Sequence, residues 1–409
     1  MQRVEHSSVA EIPQQGTPSI TPSPQLSAAK ALTAMSAFAM AGNTPLVVQP
    51  MIVGAMVDLL KLTERQAGLV ASVELTGLTV GILALIGAIG RVKRSWFAVF
   101  AVSAIVLANL ATCFVSSFQG LLPLRFISGL GAAAAFCISS AMASSSAKPE
   151  HNFAVVNAIC IAYSGVLTLL APYLLGTFGL TGIMATISVI TLSALMAIPW
   201  TRSHSSAGGI ARKSPRNPML AVPLPVILLL TMMLLLYTGH GAIWAFQERI
   251  GVAAGLSEQS VGKWLGISML IWGVSGSLLA RLLGLSIGRV WPQIISLGAS
   301  CLAVLFLVFS STPLSFAASS GLIAFSWFYG LPYQMGMLAA RDPEGRAAVA
   351  GTMMSTGGMA AGPALAAMLL VGASHRPIGI FAGVCYLAAL CIAVPSARSL
   401  ARPVNAQTA

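Results

Sequence analysis

The chain has 409 residues, of which 56% are hydrophobic and only 8% charged. A soluble domain carries roughly 25% charged residues, so an aqueous globular protein is excluded. The formal net charge of +12 is spread through short clusters between apolar runs, which argues against nucleic-acid binding and reads instead as a signal of membrane topology.

Residues 1–29, with "IPQQGTPSITPSPQLS", are rich in Pro, Ser and Gln and lack the apolar core of a signal peptide. They are predicted to form a disordered cytoplasmic tail. From Ala31 onward the chain consists of apolar runs broken by short polar joints: 31–57, 66–89, 96–115, 119–143, 153–178, 180–200, 221–246, 260–284, 290–310, 313–338, 347–372 and 377–396. A bilayer crossing takes about 20 residues of helix, whereas a barrel strand takes about ten and alternates. The expected fold is therefore an all-α membrane protein of twelve transmembrane helices.

The longest interior joint, "TRSHSSAGGIARKSPRNP", mixes Gly, Ser, Pro and basic residues in the manner of a flexible linker. It places a cytoplasmic linker at 201–219 between six-helix bundles at 30–200 and 220–398, followed by a second tail at 399–409. Arg91, Lys93, Arg94, Lys148, Arg202, Arg212, Lys213, Arg216, Arg289, Arg341 and Arg346 fall on one side of the alternating joints. Only Lys61, Arg65, Arg249, Lys263 and Arg376 fall on or near the other. The positive-inside rule then puts both termini and the linker in the cytoplasm, as in a multi-pass protein of the cell (inner) membrane.

An internal repeat supports the division. "LTERQAG" (62–68) recurs as "LSEQSVG" (256–262), and "KPEHNFAVV" (148–156) recurs as "DPEGRAAVA" (342–350), both at an offset of 194. Each pair falls on one side of the membrane, so the halves are parallel repeats about an axis along the membrane normal.

The second run, "GLVASVELTGLTVGILALIGAIG", carries a carboxylate, Glu74. An ionised side chain in hydrocarbon costs at least about 2.5–3.5 kcal/mol, so its presence calls for a reason. Counting along each helix from the same membrane face, Glu74 lies roughly 14 Å deep and Arg125 of the fourth run roughly 10 Å deep. The two are expected to pair. Either they form a proton site, since burial and a neighbouring arginine act on a carboxyl group in opposite directions, or they form a fixed structural ion pair.

Further polar residues lie at membrane depth. His240, Trp244 and Gln247 share one face of the seventh run, and Glu248 follows. The first three are candidates for a cavity between the halves; Glu248 and Arg249 read as interfacial markers, with Lys263 as a candidate partner. Trp327, Tyr329 and Tyr333 in "FSWFYGLPYQMG" would suit a ligand with a planar face. Asn43 and Gln49, on a first run bent by Pro45 and Pro50, and Asn157 on the fifth, complete the candidate substrate-binding set. The main cavity is expected between the halves, near mid-membrane.

These features resemble the major facilitator superfamily over residues 30–398. Arg125 and Gly129 in "LRFISGLGAA" resemble its helix-four Arg-x-x-x-Gly motif. "GAIGRVKRSW" resembles a degraded form of its loop after helix two, with Gly87, Arg91 and Arg94 in place but Gly90 where an acidic residue stands. "GVLTLLAPYLLG" resembles the Gly-Pro segment of its drug–proton antiporters, with Ala171 replacing the glycine, and a true Gly362–Pro363 pair appears in the eleventh run. "GAIWAFQERIG" is similar to a segment of bacterial efflux-type members.

The resemblance implies a monomeric secondary transporter moving a small molecule and protons across the lipid bilayer by alternating access. Efflux of an amphipathic or aromatic compound is the leading expectation, with uptake of an organic anion or nutrient as the alternative. A membrane enzyme is disfavoured, because the ten acidic residues form no Asp-rich cluster; a transport-inactive sensor is the third alternative. The six cysteines lie in apolar runs without metal-ligand spacing, and no phosphate-binding loop occurs, so neither metal, cofactor nor nucleotide use is expected.

Overall fold

A computed structural model describes residues 28–86, 94–146, 149–201, 223–284, 286–309, 312–340, 346–370 and 374–401. Both predicted tails up to residue 27 and from 402, almost all of the linker, Gly87, Gly90, Arg91 and Lys93 of the helix-two loop, Lys148, Arg341, and residues 342–345 of the second repeat match lie outside the described residues.

The first half begins with α1 (Ala28–Val47) and α2 (Gln49–Asp58), which meet at a 45° bend. Pro45 and Pro50 flank that bend, and each withholds the N–H that would bond the carbonyl four residues earlier. Then follow α3 (Glu64–Ile86), α4 (Arg94–Thr112), α5 (Phe118–Ser144) and α6 (Pro149–Ser193). The last continues through a short 3-10 turn into α7 (Ile198–Thr201).

The apolar stretch 151–201 is 51 residues long. At 1.5 Å per residue it would extend roughly 75 Å, over twice the hydrocarbon core, if it were straight. It breaks at Gly179, whose φ of 63° and ψ of −157° suit a residue without Cβ. The sequence places its joint between runs five and six at that residue.

The second half holds α8 (Leu224–Ala253), α9 (Glu258–Ile267), a π-helical segment at Ser268–Gly273, α10 (Val274–Leu283), α11 (Val290–Phe309), α12 (Pro313–Ala339), α13 (Arg346–Leu369) and α14 (Arg376–Ala401). Two elements of the halves can be set side by side. Helices α3 and α9 begin at Glu64 and Glu258, the spacing of the sequence repeat, and α5 and α12 each run 27 residues. Their N-caps also match: Ser117 accepts from the Gly120 N–H, and Thr312 forms a capping box with Ser315.

Among the described residues nine helices are long and apolar enough to cross a membrane, or ten when the bent α1–α2 pair counts as one span. Helix α13, rich in Gly and Ala, is not among them. Its small residues serve close packing instead: a Cβ at Gly362 would meet the Ala242 backbone of α8, and one at Gly241 would meet the Met359 backbone. Lipid supplies no hydrophobic force between helices, so such backbone-to-backbone approach carries the association.

Candidate substrate and proton site

Glu74 on α3 and Arg125 on α5 meet, with Arg125 Nη1 at 3.3 Å from Glu74 Oε1 and only 5% and 1% of the two residues exposed. Gly129 makes that approach possible. A Cβ there would strike the backbone carbonyl of Glu74, so the glycine one turn after Arg125 lets α5 lie directly against α3. The other guanidinium nitrogen, Nη2, donates to Thr112 Oγ1 at 2.7 Å, Asn109 Oδ1 at 2.9 Å and the Ala108 carbonyl at 3.2 Å, all on α4. Asn109 and Thr112 escaped the sequence reading. Both sit in an apolar run where neither spacing nor charge marks them.

Glu74 also lines a cavity with Gln49, Ile52, Val53, Met56, Val70 and Ala71, with room for about one water. Every lining residue belongs to α2 or α3, so this small cavity lies within the first half. The bend in helix one explains the position. It tilts α2 away from the line of α1, and Gln49 at its start, buried, lines the space beside α3.

The halves meet along α2, α3 and α6 on one side and α8, α9 and α13 on the other. Trp244 Nε1 donates to the Leu46 carbonyl at 2.7 Å, and Ser72 Oγ donates to the Ala360 carbonyl at 2.6 Å. Glycines line the same seam: Gly68 faces Phe246 and Ala367, Gly262 faces Pro172, and Gly266 faces Leu169. Near the joints between α2 and α3 and between α8 and α9, Arg249 bonds Asp58 through both terminal nitrogens and Glu248 through Nε at 2.6 Å. Glu248 is 2% exposed and packs over Gly54 of α2. Arg249 is thus its partner in place of Lys263. A second cross-half pair joins His375 Nε2 to Glu64 Oε2 at 2.9 Å.

The other candidate residues separate into different places. Asn43 is half-buried, its amide donating to the Ala39 carbonyl at 2.9 Å on its own helix, and Asn157 is exposed. His240 is fully buried inside the second half, with its ring 5.9 Å from those of Tyr237 and Trp327 and 5.3 Å from that of Tyr386. Gln247 donates to Ser320 Oγ of α12 at 2.8 Å. Tyr329 and Tyr333 pack with Ala280 of α10, Tyr333 donating to the Ala280 carbonyl at 3.3 Å. Trp327 and Tyr329 do not act together, because residues two apart on a helix point about 200° from one another.

A bent helix one, a carboxylate paired with an arginine inside the bundle, and two similar halves joined along one seam define a multi-pass membrane protein of the transporter kind. The profile of the Major Facilitator Superfamily matches residues 31–361, and the chain belongs to that family, whose members are transporters and not enzymes. Among solved structures, 262 chains match. One is a mutant form of the nucleoside transporter NupG, 11% identical, with a TM-score of 0.69 over 91% of this chain and 99% of that one. No curated protein sequence matches.

Proposed function

We propose that the protein is a proton-coupled secondary transporter that imports a small, neutral, polar molecule with a planar ring, of nucleoside type. In this reading twelve crossings form two parallel six-helix repeats, 30–200 and 220–398, with both termini and the 201–219 linker in the cytoplasm. The joints bearing Asp58, Glu64, Arg249 and His375 then face outward, and the halves are shut on that side.

The observation that carries the reading is the Glu74–Arg125 pair beside the bend of helix one. Its carboxylate borders a cavity with room for about one water. Arg125 directs both terminal nitrogens at Glu74 and α4, so it is not free to hold a substrate carboxylate. A neutral cargo therefore fits better than an organic anion. The similarity to a nucleoside transporter supplies the substrate class to try first.

Efflux is the second reading. It is favoured by the close packing of Gly262 and Gly266 of α9 against Pro172 and Leu169 of α6, within the segment that resembles the antiporter motif. Flux of labelled uridine and adenosine into proteoliposomes under imposed pH gradients separates the two. Accumulation driven by an acid exterior, abolished by a protonophore, supports uptake. Accumulation driven by an acid lumen supports antiport, and no flux of either nucleoside removes the substrate class.

A further inference from the structure

Pro50 has no N–H to offer the Leu46 carbonyl, the acceptor four residues back that an ordinary helical residue would satisfy. The indole of Trp244 fills that vacancy from the opposite half, at 2.7 Å. The next carbonyl, Val47, accepts from the Thr168 hydroxyl of α6 at 3.2 Å. Gln49 Oε1, buried and close by on the same bend, has no hydrogen-bond partner among the described residues. The bend of helix one therefore presents three hydrogen-bond acceptors in succession. One is served from within the first half, one across the seam, and one by none of the described residues.

The Trp244 bond cannot survive separation of the halves at this end. A buried carbonyl stripped of its donor is costly, so once the halves part it takes a new donor, either water or the cargo in its place. We infer that the Leu46 carbonyl is an exchangeable substrate-binding acceptor, held by the Trp244 indole N–H while the halves are closed at this end and by an N–H or O–H of the transported molecule once they part. The cargo is accordingly a hydrogen-bond donor at this point, and Trp244 is its intramolecular competitor. This assignment rests on the transport reading but not on nucleosides being the cargo.

The test uses the full chain in lipid nanodiscs with a reporter, Ala367→Cys, a position buried against Gly68 of the other half. A membrane-impermeant maleimide reads its accessibility, and mass spectrometry follows that position alone. Trp244→Phe keeps an aromatic ring but removes the N–H, and is expected to raise the labelling rate about tenfold, since the orphaned carbonyl destabilises the closed end. Pro50→Ala returns an N–H to helix one. In that background Trp244→Phe is expected to change the rate less than about twofold, because the acceptor is already served.

An equal rise in both backgrounds would show that the indole acts by packing alone and would overturn the inference, as would no rise in either. A ligand arm keeps the inference testable should Pro50→Ala fail to accumulate. Saturating uridine is expected to raise labelling of the reporter, with Trp244 intact, about threefold or more, while its N- and O-permethylated analogue does not, because only the former can donate to the acceptor. Equal effects of the two would also overturn the inference. If uridine has no effect and is not transported, the nucleoside reading fails, and the Trp244–Pro50 cycle alone decides the acceptor.

Discussion

Two buried arginines lie beside carboxylates in this protein, and they are placed differently with respect to the seam. Arg125 bonds Glu74, Asn109, Thr112 and the Ala108 carbonyl, every one in the first half. Arg249 reaches from α8 to Asp58 of the first half while also holding its neighbour Glu248. Rigid-body movement of the halves leaves the first cluster intact and must break the second. The same chemistry thus gives a cluster contained in one half in one place and a releasable contact across the seam in the other, and position relative to the seam decides which.

Removing Arg125 is expected to have the largest effect. Arg125→Ala strands Glu74 inside the bundle, and breaking a buried pair in this way costs about 3–5 kcal/mol. Thermal unfolding in nanodiscs and the amount of protein in the membrane measure it; a loss below about 1 kcal/mol would mean that Glu74 finds another partner. Glu74→Gln keeps size and hydrogen bonding but cannot titrate. It is expected to abolish gradient-driven accumulation while downhill exchange continues, and full accumulation per unit of protein would remove Glu74 from coupling.

Gly129→Val tests how the cluster within the first half is held together. A side chain there must push α5 off the Glu74 backbone, at about 1–3 kcal/mol as for other overpacking. Stability equal to wild type would show that the two helices can separate freely. The releasable cluster should respond more gently. The Asp58 side chain is 41% exposed, so Asp58→Asn is expected to cost no more than about 1 kcal/mol of stability. Its expected signature is conformational: the Ala367→Cys reporter labels faster when Asp58→Asn is added, and an unchanged rate would mean that the pair does not hold the seam. The smallest disturbance comes from single cysteines in 201–219, expected to react with impermeant reagents only from the cytoplasmic side. Reaction from outside would invert the topology and exchange the faces assigned to the seam.

Much of this arrangement is legible in the sequence. The apolar runs locate the helices, and the joint after run five falls on Gly179. Depth counted at 1.5 Å per residue brings Glu74 to Arg125, because two helices entering from one face place residues at predictable heights. The cross-half pairs were harder to see. Asp58 and Arg249 are 191 residues apart, and Glu64 and His375 are 311 apart, without any local pattern to join them. Complementary charge in joints on the same face was the available signal: acidic residues at the α2–α3 joint, basic ones at joints of the other half.

The sequence by itself determined what depends on neighbours along the chain: membrane residence, the positions of the long apolar helices, the recurrence of short segments at an offset of 194 and the proline bend of helix one. Each follows from hydropathy, helical rise or a missing N–H, all local quantities. Only the tertiary structure decided which faces meet. It drew His240 into the second bundle, set Glu74 beside a water-sized cavity between α2 and α3, and brought the Trp244 indole to the carbonyl that Pro50 had left open. A helix turns its residues through about 100° each, so the chain fixes their order around the axis but not which neighbour stands opposite. That depends on side-chain shape complementarity between segments hundreds of residues apart.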